Sequence, residues 1–396
     1  MRSSSLKMYR DLNFRISQTS LMNKIEYESS PNPILMAKFL ITIVYIFLLA
    51  TGCVNSAKHQ SAHLQQTQLR AQNGELEAQL ELAKYYLNRN ESTDQASALS
   101  WFQTAADNGS AEGAYQAYKL LLTIKPELYS EATELLEQAA ATDHPQAQLI
   151  LADSLMEASP ADNEAATKAF DLYQRAATQG LTAAQTKLAT MLFAGYGTDR
   201  NLKASSQWFE RAATQGNSRA QLLLGDFYLL GFGVSKDLDS AIDWYEKSAL
   251  QGDPDAQSKL GDLYSYDQFN AIYDPETALD WYQQAASNDV IHAQARLGKM
   301  YEDGTGVRRN IESATRWYRQ AADRGSPMAQ CQLGSFYHRG IGVTQDRDQA
   351  EYWFNLAAAQ IPAGVKPIIG FIYYDCTQFD NQTVALSPEL NNLVPE

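Results

Sequence analysis

The chain repeats one arrangement of apolar and polar positions with a nearly constant period. A tryptophan followed at once by a second aromatic residue recurs at Trp101, Trp208, Trp244, Trp281, Trp317 and Trp353. From Trp208 onward the steps between these tryptophans are 36, 37, 36 and 36 residues. Leu135-Leu136 and Leu172-Tyr173 are weaker copies of the pair. A fixed period of this length predicts a solenoid, in which one supersecondary unit is stacked many times.

Each period predicts two helices. The first begins near an Ala-Gln dipeptide, with Leu four residues later and usually an aromatic residue after eight, as in Ala220, Leu224 and Tyr228. These positions share one helical face, so we expect them to be buried. Glycines then follow in a G-x-G pattern, such as Gly231 and Gly233, which predicts a helix C-cap with positive φ. The second helix carries the tryptophan–aromatic pair, which we expect to be a buried anchor between helices.

The same pattern sets the predicted domain boundaries. Eight helix pairs run from Gly74 to about Gln360, with degenerate repeats over residues 74–180 and regular repeats over residues 181–360. Residues 361–376 align with a further first helix and predict a terminal cap. The polar residues 377–396 are expected to form a loose tail. The predicted fold class is therefore all-α, a helical-repeat solenoid of about eight helix pairs.

The regular repeats resemble the Sel1-like repeat family, a branch of the TPR-like helical solenoids. The clearest match runs from Ala220 to Gly252 and reads AQLLLGDFY, then GFGV, then SAIDWY and SALQG. The repeats that match throughout begin at Ala184, Ala220, Ala293 and Ala329. The repeat at Ala256 has Tyr266-Asp-Gln-Phe-Asn in place of the G-x-G loop. The resemblance implies a right-handed superhelix used for protein–protein contact, and it implies no reaction.

The N-terminal segment resembles a bacterial lipoprotein signal peptide. Residues 36–52 combine Lys38 with an apolar run, and small residues lead into Cys53. The resemblance implies cleavage before Cys53, lipidation of this cysteine, and a flexible tether over residues 53–73. Residues 1–35 are interpreted as an extension that precedes the true start. An uncleaved signal-anchor is the alternative, because an apolar run of about 20 residues can span a bilayer.

Location and charge narrow the range of partners. In the lipoproteins that the chain resembles, Asp after the lipidated cysteine favours inner-membrane retention, whereas this chain has Val54. We therefore expect an outer-membrane lipoprotein facing the periplasm, with an inner-membrane signal-anchor as the alternative. The formal net charge of −14 argues against a nucleic-acid partner, because such binding depends on neutralising phosphates with Lys and Arg.

Two cysteines lie outside the lipoprotein motif, Cys331 and Cys376. Aligning residues 361–376 as a further repeat offsets them by about 13 Å at the rise of an α-helix. A disulfide needs Cα atoms within about 7 Å. We therefore expect two unpaired thiols, with a disulfide as the alternative because few contacts hold the tail.

The sequence contains no motif that indicates catalysis. The histidines lack metal-ligand spacing, and C-x-x-C, G-x-S-x-G and Walker-type motifs are missing. The G-x-G pairs follow predicted helices rather than strands, so we interpret them as helix caps and not as phosphate-binding loops. No set of convergent buried polar residues that breaks the repeat pattern is visible. We expect a non-catalytic protein without a metal or cofactor.

A basic row is the candidate binding surface. Lys187, Lys259 and Arg296 each lie three residues after the helix-opening alanine, and Lys299 lies six after its own. The first three fall off the predicted buried stripe, so we expect them to be exposed on the concave face and to bind an acidic protein or peptide. The alternative is that these side chains are surface residues paired with nearby acids.

The leading functional interpretation is a scaffold or adaptor of the cell envelope, held to a membrane by its lipid. An enzyme or inhibitor acting on envelope material is one alternative, since β-lactam-related activity is attributed to some Sel1-like relatives, and a peptidoglycan-related role belongs to the same class. A lumenal Sel1-type adaptor is another, for which Asn90 and Asn381 would be glycosylation sites.

Overall fold

The computed structural model describes residues 62–89, 92–158, 162–266, 272–360 and Leu390. These residues form α-helices, turns and one short 3-10 segment at Pro126–Leu128, and no strand occurs among them. The predicted extension, signal peptide, lipidation site Cys53, terminal cap and nearly all of the tail lie outside the described residues. In the part that is described, no helix is both long enough and apolar enough to cross a bilayer.

The helices alternate as the period predicts. Residues 62–72 form α1. The first helices of the eight repeats are α2 (Leu76–Leu87), α4 (Ala111–Ile124), α6 (Pro145–Ala158), α8 (Thr182–Ala194), α10 (Ser218–Leu230), α12 (Pro254–Ser265), α14 (Ile291–Asp303) and α16 (Pro327–Arg339). The second helices are α3 (Ser92–Asp107), α5 (Tyr129–Ala141), α7 (Asn163–Thr178), α9 (Leu202–Thr214), α11 (Leu238–Leu250), α13 (Pro275–Ser287), α15 (Ile311–Asp323) and α17 (Arg347–Ala358). We number the repeats 1 to 8 by these pairs.

The chain divides into two compact units, residues 1–90 and residues 91–396. In the first unit, Gln79 Nε2 donates to the carbonyl oxygen of Ala71 at 3.1 Å and links α2 to α1. Thr67 and Ala71 are buried on one face of α1, so the expected flexible tether is helical over residues 62–72. In the second unit, each helix packs mainly against the helix before it and the helix after it. The predicted fold class, an all-α helical repeat, is confirmed.

Glycines of the G-x-G loops have two separate roles. The first glycine is the left-handed C-cap of its helix, as predicted, with φ of 79° at Gly195 and Gly231. The second glycine permits a close contact between repeats. A Cβ on Gly233 would lie 2.2 Å from the carbonyl oxygen of Leu202, and one on Gly306 would lie 2.2 Å from that of Pro275. The loop of each such repeat therefore packs on the first turn of the second helix of the repeat before it.

The second member of the aromatic pair is the main anchor except in repeat 8, where Trp353 is buried and Phe354 is partly buried. The expectation that the tryptophan shares that role is therefore wrong for the other repeats. Tyr245 is fully buried, whereas Trp244 is only partly buried. Consecutive helix residues point about 100° apart, so only one of the two can face the interior. The ring of Tyr245 covers Gly225, where a Cβ would lie 2.5 Å from the ring. Phe227, seven residues after Ala220, is likewise more deeply buried than Tyr228.

Cys331 is disulfide-bonded, so the expectation of an unpaired thiol there is wrong. The expected offset between Cys331 and Cys376 assumed that residues 361–376 stack in register as a further repeat, and those residues lie outside the described range.

Leu390 is fully buried in the cluster that holds Phe209 and Leu223, so the tail is not loose at this residue.

Candidate functional site

Buried charges join neighbouring repeats. Asp226, six residues after the helix-opening alanine of repeat 5, is completely buried. Its Oδ1 accepts a hydrogen bond from the Tyr245 hydroxyl at 2.7 Å and lies 2.9 Å from Nζ of Lys259 in repeat 6. We call this arrangement a junction triad: an acid on one first helix, a tyrosine on the following second helix, and a cation on the next first helix. Because both charges are removed from water, each depends on the other.

The junction triad recurs elsewhere in the array. At the end of repeat 3, the Tyr173 hydroxyl donates to Asp153 Oδ1 at 2.6 Å, and Lys187 Nζ lies 3.3 Å from that oxygen. At the end of repeat 6, Asp262, Tyr282 and Arg296 occupy the equivalent positions. Repeat 4 has none of the three chemical groups, because the equivalent residues are Thr190, Phe209 and Leu223. At this junction all three polar groups are absent, whereas repeat 7 keeps a tyrosine, Tyr318, with Lys299 and Gln332 at the other two positions.

The basic row is only partly exposed. The side chain of Lys187 is 57% exposed, and that of Lys299 is 33% exposed with its Nζ 3.2 Å from Asp303 Oδ2. Lys259 and Arg296 are 6% and 5% exposed, so the expectation that they are surface residues is wrong. When the repeats stack, the residue three positions after the helix-opening alanine lies against the acid of the preceding repeat. The sequence of one helix alone does not show this neighbour. The predicted role of the four residues in partner binding stays a prediction.

A larger polar cluster forms where repeat 6 departs from the common pattern. Oδ1 of Asp262 accepts hydrogen bonds from the hydroxyls of Tyr282 at 2.6 Å and Tyr266 at 3.1 Å, and it lies 2.8 Å from Nε2 of His292. Arg296 Nη2 donates to the Tyr266 hydroxyl at 2.7 Å. Tyr266 caps α12 one residue earlier than the first loop glycine caps the corresponding helix of the other regular repeats, and its side chain closes the cluster. Sequence reasoning missed this cluster, although Tyr266 was the visible signal.

The cluster keeps Asp262 charged although it is buried. Burial disfavours the charged carboxylate, but the nearby His292, Arg296 and the Tyr282 hydroxyl together hold the pKa of Asp262 below its usual range. Burial and the adjacent Asp262 charge raise the pKa of Tyr282 well above its usual range. The phenol therefore stays a hydrogen-bond donor, and the carboxylate stays an acceptor.

Two cavities meet at Arg296. The first, of about 220 Å³, is lined by Tyr266, Tyr273, Tyr282, Arg296, Lys299 and other residues of repeats 6 and 7. The second, of about 330 Å³, is lined by His292, Arg296, Arg324, Met328 and residues around them in repeats 7 and 8. Their linings combine aromatic and apolar surface with Arg296, Lys299 and Arg324. The two linings contain three cations and one acid, Asp303, on a chain with a formal net charge of −14.

The geometry suits binding better than catalysis. His292 and Asp262 form an acid–histidine pair, but the hydroxyl of nearby Ser265 contacts the Tyr282 hydroxyl at 3.0 Å and the backbone oxygen of Asp262. A nucleophile activated by His292 would need to contact its ring, and no hydroxyl or thiol in the described part of the chain does so. The same part contains no cluster of three or more His, Cys, Asp or Glu side chains placed to hold a metal ion.

Repeats 6 and 7 also interrupt a ladder of glutamine amides. In repeats 3, 4, 5 and 8 the glutamine after the helix-opening alanine has its Oε1 bonded to a glutamine at the end of the next second helix, as in Gln251 to Gln221 at 2.7 Å. Asn288 and Arg324 stand in place of that second glutamine in repeats 6 and 7. The buried Oε1 atoms of Gln257 and Gln294 have no hydrogen-bond partner within the described structure. Repeats 6 and 7 therefore lack the glutamine–glutamine hydrogen bond that repeats 3, 4, 5 and 8 have.

The family of the chain follows from a comparison with known repeat families. The Sel1 repeat matches residues 76–110, 145–181, 182–217, 218–253, 254–290, 291–326 and 327–361. These stretches cover more than half of the sequence, so the chain belongs to the Sel1 repeat family. Sel1-repeat proteins are generally protein-interaction scaffolds. Residues 111–144, within the part interpreted as degenerate, lie outside the matched stretches.

Among the solved structures similar to this chain, one with a TM-score above 0.5 has the same type of fold. A Sel1 repeat protein from Oxalobacter formigenes is 26% identical, with 74% of this chain and 86% of that one covered and a TM-score of 0.56. A protective antigen of uropathogenic Escherichia coli displaying an SLR fold is 26% identical over 83% of this chain and 90% of that one, with a TM-score of 0.30. A putative Sel1 repeat protein from Klebsiella pneumoniae is 21% identical over 51% and 98%, with a TM-score of 0.35. No match is found among curated proteins.

Proposed function

We propose that this chain is a non-catalytic scaffold of the cell envelope that holds a protein partner at repeats 6 and 7. The observation that carries the proposal is the pair of cavities that meet at Arg296, over a buried polar cluster that the other described repeats do not have. Volumes of about 220 and 330 Å³ fall at or below the small end of small-molecule pockets, which begin near about 300 Å³. Cavities of this size fit single side chains of a protein partner.

The charge of the site indicates what that partner presents. Lys299 and Arg324 line the two cavities and are about a third exposed or more. Arg can hold a carboxylate through two parallel hydrogen bonds, and Lys supplies a point charge. The partner segment that fits is one with acidic side chains next to apolar or aromatic ones. Asp262 fixes Arg296 beneath the site and so supports the cavity walls.

Charge reversal at the rim tests this proposal. Lys299→Glu combined with Arg324→Glu should leave the fold intact, since both side chains are partly exposed, and should abolish recovery of the partner by crosslinking in intact envelopes. Lys203→Glu is the matched control, because Lys203 is exposed and lies outside the two cavities and the basic row. Recovery of the same partner by the double variant, with unchanged salt dependence, would exclude repeats 6 and 7 as the docking site.

We also propose that the chain is anchored through lipid on Cys53 and faces the periplasm. The small residues before Cys53 support this anchor, and the disulfide at Cys331 is consistent with an oxidising compartment. Metabolic labelling with palmitate should mark the wild-type chain and not the Cys53→Ser variant. A mature protein that is unlabelled, or whose mass still includes residues 39–52, would show instead that the segment is a signal-anchor.

A further inference from the structure

The junction between repeats 4 and 5 is apolar, unlike the junctions on either side of it. Asp153 pairs with Lys187 before it, and Asp226 pairs with Lys259 after it. At the corresponding positions of this junction stand Thr190, Phe209 and Leu223. Phe209 and Leu223 belong to one buried cluster with Ala189 and Phe227. This junction is therefore an apolar interruption between two junctions that carry charges.

A residue from the far end of the chain lies in this interruption. Leu390 is 0% exposed and belongs to the same cluster as Phe209, Leu223 and Phe227. It is helical, and it follows Ser387, Pro388 and Glu389. Ser, Pro and Glu are favoured at the first positions of a helix. The Leu390 side chain is thus an apolar group packed within an apolar cluster.

We propose that the apolar junction between repeats 4 and 5 is a docking site for a leucine-bearing segment, and that the C-terminal segment of this chain, residues 387–396, occupies it through Leu390. Two independent observations support the assignment: the apolar residues that stand at this junction between two junction triads, and the burial of Leu390 among them. The site is separate from the cavities of repeats 6 and 7. A protein partner that presents a leucine in the same way must displace the C-terminal segment before it can bind.

Peptide binding in trans tests the site. The chain ending at Leu386 is compared with the full chain, both kept non-reduced so that the Cys331 disulfide is retained, and the probe is a fluorescein-labelled peptide of residues 385–396. We expect saturable binding to the shortened chain and binding at least about tenfold weaker to the full chain, because burial of a leucine corresponds to roughly a tenfold or greater change in affinity. The Leu390→Asp peptide should not bind. Equal binding to both chains, or binding to neither, would overturn the proposal.

A second variant separates loss of the site from loss of the fold. Thr190→Asp, Phe209→Tyr and Leu223→Lys together install the junction triad that repeats 3 and 5 already contain, so the shortened chain carrying them should fold and yet lose the peptide. Peptide binding that survives in a folded triple variant would contradict the assignment. Concentration-dependent dimers of the full chain that become monomers with Leu390→Asp would show that a second copy supplies the leucine, and this too would overturn occupancy within one chain.

Discussion

Lys259 Nζ lies 2.9 Å from Asp226 Oδ1 although the two residues belong to different repeats and both are buried. Removing one charge leaves the other buried without its partner, which typically costs about 3–5 kcal/mol. We therefore expect Lys259→Met to lower the free energy of unfolding by about that amount, measured by urea denaturation.

Lys187→Met is the matched control for that measurement. Lys187 occupies the same repeat position, but its side chain is 57% exposed and lies 3.3 Å from Asp153. Exposed pairs contribute about 0–1 kcal/mol, so this variant should unfold close to wild type. Equal losses in the two variants would mean that burial of the junction does not determine the strength of the pair.

The aromatic pair gives a second prediction. Tyr245→Ala should lower the free energy of unfolding by about 3–5 kcal/mol, as buried aromatic truncations do, because its ring is fully buried over Gly225. Trp244→Ala should cost less, since Trp244 is partly exposed and its ring faces Lys247 Nζ at 3.8 Å from the centroid. Thermal unfolding of both variants checks the order, and a larger loss for Trp244→Ala would restore the tryptophan as the anchor.

The interrupted glutamine ladder predicts a stabilising substitution. Asn288 is exposed and stands one methylene short of the glutamine that the other repeats use. Asn288→Gln should let the amide reach the buried Oε1 of Gln257 and raise the free energy of unfolding by about 1 kcal/mol, the usual net value of a hydrogen bond. Asn288→Ala cannot make that bond and serves as the control. No gain relative to alanine would show that Gln257 is already satisfied.

Buried tyrosines predict sensitivity to alkaline pH. Burial and the charge of a nearby acid raise the pKa of Tyr245 and Tyr282 well above the usual value. The folded chain thus holds these protons more tightly than the unfolded chain, whose tyrosines titrate near about pH 10. This contribution to stability is complete below that pH and is lost as the pH rises above it.

Urea unfolding between neutral pH and pH 11 measures the effect. Tyr245→Phe combined with Tyr282→Phe should flatten the alkaline decline, because phenylalanine has no proton to lose. Tyr129→Phe is the control, as Tyr129 is 64% exposed. An alkaline decline of unchanged slope in the double variant would assign the effect to other groups.

The repeated features were predictable from sequence because each depends on a local rule. The period located the helix pairs, and the glycine spacing identified the left-handed caps at Gly195 and Gly231. These features follow from the geometry of one helix and the loop after it. The fold class could therefore be predicted from the sequence without considering contacts between repeats.

The site was not predictable in the same way, because it depends on contacts between neighbours. Lys259 and Arg296 lie off the apolar stripe of their own helices, yet an acid of the preceding repeat covers each of them. The signal that could have shown this is joint variation along the array: Thr190, Phe209 and Leu223 replace acid, tyrosine and cation together. Likewise, Tyr266 was recognised as a departure from the loop pattern but not as a ligand of a buried carboxylate.

Because the junction triad belongs to two repeats at once, it restricts how the gene can change its number of repeats. Loss of residues 254–290 as a block would bring Asp226 against Arg296, an acid against a cation, and the junction chemistry would survive. Loss of residues 218–253 would bring Thr190 and Phe209 against Lys259 and leave a buried ammonium with no carboxylate. Two deletions of nearly equal length therefore have different outcomes. Unequal crossing-over should be tolerated only at boundaries where the acid and the tyrosine of one repeat still meet a cation in the repeat that follows.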